Sequence, residues 1–339
     1  MEQERRSIRV GLAVIACAVL FRVMGGVTET AAAFFSDPTV ASFLIYLETG
    51  RVVRLDPVDT VTETVEETVE ESWEPAPPTE PKQVSFRAEE AELVDVSYQC
   101  DYTPDIGQLL QSPLSWDLTE DGPAVLILHT HATESYTQTP EASYTPSSPY
   151  RTEDIQYNMV RIGDEINRVL EAHGIQVIHD TTLHDEPSYN GSYSYARKTI
   201  MRHLEENPSI KMVLDIHRDA LELADSMQLG TQAVVDGIPS AQLMMVVGTN
   251  AGGLHHPAWQ DNMALAVKLH VQLERTWPGI CRPISFRTER FNQDLSSGAL
   301  LIEVGAAGDT LEEALVAARA LADGIAGLSE GTATTDSTS

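Results

Sequence analysis

The chain has 339 residues, 42% of them hydrophobic, and a formal net charge of -29 at pH 7. That length gives room for one or two domains with a proper core, and so acidic a balance excludes a nucleic-acid binder, since phosphate backbones are held by Lys and Arg. Among its 3 cysteines, Cys17, Cys100 and Cys281, there is no CxxC pair, so neither a structural zinc site nor a thioredoxin-like motif is expected, and Cys100 with Cys281 is the one disulfide pairing left open.

Residues 1–6 form a short tail. The basic Arg5, Arg6 and Arg9 precede an apolar run, Val10–Phe21, that Arg22 interrupts and Val23–Val27 continues. A membrane-spanning helix needs about 20 predominantly apolar residues, and the uninterrupted part here is shorter. Two readings compete. Arg9 and Arg22 snorkel to the interfaces and residues 7–27 form a signal anchor, or a secretory signal is cleaved around Ala31-Ala32-Ala33. For an anchor, the positive-inside rule places the N-terminus inside and the rest outside. Residues 28–55 follow as a juxtamembrane segment whose apolar patch, Thr39–Leu47, is too short to span. Residues 56–84 are acidic and rich in Thr, Val and Pro, the composition of an extended, disordered linker.

Ordered sequence resumes near Ser85. Ile106–Leu110 reads as a short helix and Val125–Leu128 as a buried strand after Gly122-Pro123. Gln138–Tyr150 is a loop. Ile155–Ala172 has helical spacing and stops at Gly174. Then come a strand over Ile175–His179, a helix over Tyr193–Leu204 and a strand over Ile210–Ile216. Gln242–Gly248 is expected to pair with Gln232–Val235 through the turn at Asp236-Gly237. A helix over Trp259–Thr276, a strand over Leu300–Val304 and a helix over Thr310–Leu328 complete the domain, and residues 329–339 are a polar tail. Strands alternating with helices predict an α/β fold with a mostly parallel, twisted sheet and helices on both faces.

Three strand ends carry the candidate chemistry. His129, His131 and Glu134 follow the first buried strand, His217 closes Met212–Ile216, and Glu303 interrupts Leu300-Leu301-Ile302. In open α/β sheets ligands gather at the carboxyl ends of strands, and imidazoles with a carboxylate suit a catalytic zinc that keeps one position open. His129 and His131 are two apart and would share a face of a strand, so spacing alone does not choose between them. The HxxE pair of His131 with Glu134 favours those two, with His129 as alternative ligand or support. Glu303 is either an outward-facing residue of an edge strand or, since a carboxylate is costly to bury unless paired or used, a general base. His179, Asp180, His184 and Asp185 form a second polar cluster, read as a substrate-lining loop together with Tyr189 and Asn190 rather than as a second metal site. Arg218 is a candidate for steadying a substrate carbonyl or carboxylate. Asn250, His255, His256, Trp259 and Asn262 are read as rim residues. Ser135 lacks the G-x-S-x-G elbow of a serine hydrolase.

The segments HTHATESY, HDEPSYNGSYSYAR, VLDIHRDA and LLIEVG, in that order across roughly Ser85 to Gly327, resemble the stage II sporulation protein P family. The resemblance implies an amidase-like fold and a membrane-anchored peptidoglycan hydrolase related to zinc-dependent N-acetylmuramoyl-L-alanine amidases. It implies Zn²⁺ held by His131, Glu134 and His217, with Glu303 shuttling the proton. It further implies cleavage of the N-acetylmuramoyl-L-alanine bond and of stem-peptide cross-links during engulfment, between the mother-cell and forespore membranes. The implied partners are a lytic transglycosylase, stage II sporulation protein D, and membrane scaffold proteins. Two rival readings are a non-catalytic wall-binding module and a zinc peptidase of other substrate.

Overall fold

The computed structural model describes residues 85–114, 118–222 and 227–329. The expected tail at 1–6, the anchor at 7–27, the 28–55 segment, the 56–84 linker and the polar tail beyond residue 329 lie outside these. Among the described residues no helix is long and apolar enough to cross a membrane.

The strands in chain order are β1 (Val96–Tyr98), β2 (Val125–Leu128), β3 (Val177–His179), β4 (Met212–Asp219), β5 (Ala233–Val235), β6 (Ile238–Ser240), β7 (Leu243–Val247), β8 (Ile284–Phe286) and β9 (Ala299–Ala306). The helices are α1 (Ile106–Gln111), α2 (Met159–Ala172), α3 (Ser192–Glu206), α4 (Trp259–Thr276) and α5 (Leu311–Ser329). Seven strands form one sheet in the order β1-β8-β7-β9-β4-β2-β3. Every neighbouring pair is parallel except β7 against β9. Two parallel blocks therefore meet at one antiparallel seam, and the mostly parallel α/β fold expected from the sequence is present.

The sequence reading and the structure part company in three places. The expected pairing of 232–235 with 242–248 does not form. Asp236 (φ 52) and Gly237 (φ 86) are both left-handed, the signature of a two-residue hairpin turn. That turn closes β5 onto β6 instead and leaves β7 free for the main sheet. α2 begins at Met159 and not at Ile155, because the Asn158 side chain accepts from the Val160 amide and caps the helix there. The edge strand β1 and its neighbour β8, of 3 residues each, are too short to leave a periodic signal. Cys100 and Cys281 are both free thiols, so the one open disulfide pairing is not made.

Side chains alternate across the sheet. Val125, Ile127, Leu214, Ile216, Leu300 and Ile302 face a large core shared with α2, α4 and α5. On the other face Leu126, Leu128, Val213 and Ala299 pack against Ala196 and Ile200 of α3. In that smaller core α3 covers the β2–β4 side, and the outer parts of β9 and β7 on the same face stay open for a cavity.

Candidate active site

Three strand ends converge on the α3 face of the sheet. His217 on β4 and Glu303 on β9 are partners in the parallel register. Asp215, Leu301 and the pair itself fall on one face by alternation. Beside them lies a cavity of about 220 Å³ lined by His131, Glu134, Tyr193, His217, Arg218, Met244 and Glu303, among others.

His129 and His131 diverge because β2 ends at Leu128 and the strand periodicity lapses with it. His129 turns towards α2. Its Nδ1 donates to the Ile216 carbonyl at 3.0 Å, which leaves Nε2 as the acceptor for His179 Nε2 at 2.9 Å. The His179 ring passes on to Asp164 at 3.0 Å. Both nitrogens of His129 are spent, and burial holds its pKa down to about 3. His131 turns into the cavity. Its ring stacks on Tyr189 at 4.4 Å and meets His217 edge-on at 5.4 Å. Burial, and then the charge on His217, lowers its pKa to about 4, so the ring is neutral at pH 7 with a lone pair to offer.

A turn closed by the Glu134 amide on the His131 carbonyl brings the HxxE pair onto one side. Glu134 Oε1 accepts from Arg151 Nη2 at 3.1 Å, and Oε2 lies 3.6 Å from His217 Nδ1. Burial opposes ionisation of Glu134, but His217, Arg218 and Arg151 outweigh it and hold the pKa at about 2. His217 sits between two carboxylates. Its Nε2 lies 2.9 Å from Asp215 Oδ1, at an approach too oblique for a formed hydrogen bond. Burial would lower the pKa of His217, yet Asp215 and Glu134 together raise it well above the usual imidazole value. Asp215 is itself pinned by the Thr130 amide at 2.7 Å and hydroxyl at 2.6 Å. Glu303 keeps part of its side chain in contact with solvent, but its Oε2 is sealed off and has no partner. Burial first, then the neighbouring Glu134 and Asp219, push its pKa up to about 8.

His131 Nδ1 and Glu303 Oε2 are buried without a partner, and both residues line this cavity, whereas His217 Nε2 faces Asp215 Oδ1 at 2.9 Å and its Nδ1 is the nitrogen turned towards Glu134. Buried polar atoms are ordinarily satisfied, so the set calls for a ligand. His131, His217 and Glu134 are by type a zinc donor set, but among the described residues only His270, Glu274 and Cys281 bring three such donor atoms within 4.8 Å of one another.

The other candidates fall around this centre. The Arg218 guanidinium is buried and donates to the Ser135 and Tyr150 carbonyls at 3.0 Å each, bracing the loop that carries Glu134. Tyr189 is exposed beside His131, and Asn190 is exposed in the same 3-10 turn, Tyr189–Gly191. His184 is buried with both nitrogens engaged, on the His129 carbonyl and on Thr199 Oγ1 at 2.9 Å each. Asp185 is buried beneath Thr133 and Arg151. The polar cluster from 179 to 185 is thus dispersed, Asp180 pairing instead with His203 and Arg202. His255 and His256 do not line the cavity.

Asp215 is readable in the sequence as a carboxylate two residues before His217, on the same strand face. Arg151 had no local signal, since the return of the 138–150 loop alone brings it to Glu134 and Asp185. It also lines a second cavity of about 470 Å³ with Thr133, Ser147, Ser148 and Tyr189.

A family model described as stage II sporulation protein P matches residues 52–326. Stage II sporulation protein P of Bacillus subtilis (strain 168) is 28% identical over 260 residues, a match covering 74% of this chain and 61% of that protein. The chain thus spans about three-fifths of the relative's length. Among solved structures, the N-acetylmuramoyl-L-alanine amidase AmiC2 of Nostoc punctiforme aligns at 15% identity over 61% of this chain and 97% of its own, with a TM-score of 0.36. The CwlD amidase from Clostridioides difficile, in complex with the GerS lipoprotein, aligns at 16% identity over 60% of this chain and 96% of its own, with a TM-score of 0.39.

Proposed function

The chain belongs to the stage II sporulation protein P family, and on that footing we propose that it is a zinc-dependent peptidoglycan hydrolase that cuts the amide between N-acetylmuramic acid and L-alanine in the sporulating envelope. The observation that carries this reading is the convergence of His131, Glu134, His217 and Glu303 on one cavity, with partnerless buried polar atoms on His131 and Glu303. His131, Glu134 and His217 would hold Zn²⁺. When bound, the ion supplies Lewis-acid polarisation of the scissile carbonyl and acidifies the attacking water.

The chain's own residues do the rest. Glu303 has a pKa near neutrality, about 8, and that is where a general base works best. It takes a proton from the attacking water and returns it to the leaving nitrogen. Asp215 fixes the His217 ring, as carboxylates behind metal-binding histidines do. Arg151 holds Glu134 on one oxygen and leaves the other towards His217. Tyr189 and Asn190 offer a stacking face and an amide to the stem peptide. Arg218, His184 and Asp185, buried and paired, shape that wall.

The family reading extends to stem-peptide cross-links, to the lytic transglycosylase stage II sporulation protein D and membrane scaffold proteins as partners, and to a membrane-anchored place between mother cell and forespore. Digestion of purified sacculi tests the bond. An amidase frees peptides with L-alanine amino termini and leaves intact lactyl groups on the glycan. Release of dipeptides or cut cross-links alone would indicate a peptidase. Adherence with no release would indicate a wall-binding module.

A further inference from the structure

On the opposite face of the sheet a second group of ligand atoms is assembled. His270 and Glu274 stand one turn apart on α4, and Cys281 lies in the segment that leads into β8. One donor atom from each of the three lies within 4.8 Å of the others. Cys281 bridges Leu243 of β7, whose side chain faces the α4–α5 core. The neighbouring Met244 lines the active-site cavity on the other face. The two sites therefore share no residue.

Each member is held for binding. The His270 ring is 3% exposed and shares a hydrogen bond with the backbone of Leu93. Its Nδ1 is buried and has no partner, so the backbone bond falls to Nε2 and fixes the tautomer with the lone pair on Nδ1. That arrangement, one ring nitrogen on a carbonyl and the other free, is the usual state of a metal-binding histidine. Glu274 accepts from the Cys281 amide at 2.7 Å and the Gly279 amide at 2.8 Å, which fixes its carboxylate beside the thiol. Cys281 is a free thiol. If the group served only to cap the end of α4, Glu274 would suffice, and nothing would explain a buried histidine with an idle nitrogen in the same group.

We propose that His270, Glu274 and Cys281 form a second, thiolate-containing site for a zinc-class divalent cation, clamping the end of α4 to the β7–β8 strand pair. A sulfur, an imidazole and a carboxylate select a borderline-soft ion over Mg²⁺ or Ca²⁺. Binding displaces the thiol proton to solvent, as metal binding to cysteine requires.

Cobalt(II) titration of the metal-free full chain distinguishes this site from the catalytic one. The set His131, Glu134 and His217 contains no sulfur, so only the second site gives a thiolate-to-cobalt charge-transfer band in the near ultraviolet. The chain has 3 cysteines, and the Cys17→Ser/Cys100→Ser variant leaves Cys281 as the sole sulfur donor of that kind. The wild type and this variant are expected to show the band, saturating at one cobalt per chain and bleached by zinc. Cys281→Ser and His270→Ala are expected to lose it. Absence of the band from the Cys17→Ser/Cys100→Ser chain, or its persistence in Cys281→Ser, overturns the proposal. Neither result depends on whether the chain cuts peptidoglycan.

Discussion

His217 and Glu303 are register partners on the adjacent parallel strands β4 and β9, so backbone hydrogen bonding sets the imidazole beside the carboxylate. A slip of one residue on β9 would send Glu303 to the core face and bring Ile302 or Val304 to the cavity. The pairing is protected by burial, since Ile302 and Val304 are fully enclosed in the core shared with α4 and α5. The site's geometry is thus inherited from the buried centre of the sheet.

Asp215 is expected to act through His217. Asp215→Asn keeps the shape and an acceptor for the Thr130 amide, but it removes the charge 2.9 Å from His217 Nε2. Zinc affinity should fall about 10–100-fold, the usual effect of losing such a support, with the far-ultraviolet circular dichroism unchanged. An unaltered affinity, measured by competition with a chromophoric chelator, would remove Asp215 from the account.

Gly163 is the one position in α2 where a methyl group cannot enter. A Cβ there would run into the Nε2 atoms of both His129 and His179. Alanine is the better helix former, so Gly163→Ala would stabilise an ordinary helix. Here it should cost about 1–3 kcal/mol, as overpacking does. Urea unfolding that shows a gain would mean the His129–His179 pair is not rigid.

Glu165 is buried on α2 and receives Arg161, Arg168 and, from α5, Arg319. Burial favours its neutral form, but the Arg168 and Arg319 contacts prevail and lower its pKa from 4.5 to about 2. A lowered carboxylate pKa adds stability above the unfolded value, and that stability is lost as pH falls through the folded one. Glu165→Gln should therefore cost about 1.5–3 kcal/mol at pH 7, the range for hydrogen bonds to charged groups. The gap from wild type should close between pH 4.5 and pH 2. A gap equally wide at both ends of that range would show that the arginines add nothing through charge.

Much of the candidate site was legible because strand ends announce themselves. Apolar runs stop at His131, His217 and Glu303, and a polar residue at such a stop is either exposed or used. His129 against His131 was not legible. The choice depends on β2 ending at Leu128, and a strand continued through His131 would have kept both on the same face. The cluster from His179 to Asp185 misled for the opposite reason. Its members are neighbours in sequence, but they are claimed separately by Asp164, His203, Thr199 and Arg151. His270, Glu274 and Cys281 form no known motif, because a helix end and a turn, not a spacing rule, bring them together. In the fold, the parallel block was readable from its apolar runs. The hairpin of β5 with β6 was missed because the turn at Asp236-Gly237 closes on its nearest neighbours.

The central claim is that three residues hold zinc while Glu303 moves the proton. The most direct measurement combines zinc retained after dialysis with peptide release from sacculi, for the wild type, His217→Ala and Glu303→Gln, each in the Cys281→Ser background so that the other candidate site is silent. The account predicts about one zinc per chain and release in the parent. His217→Ala should lose both. Glu303→Gln should keep the zinc and release peptide about 10²–10⁴-fold more slowly, the usual contribution of a general base. Cutting by the zinc-free parent, or undiminished cutting by Glu303→Gln, would contradict it.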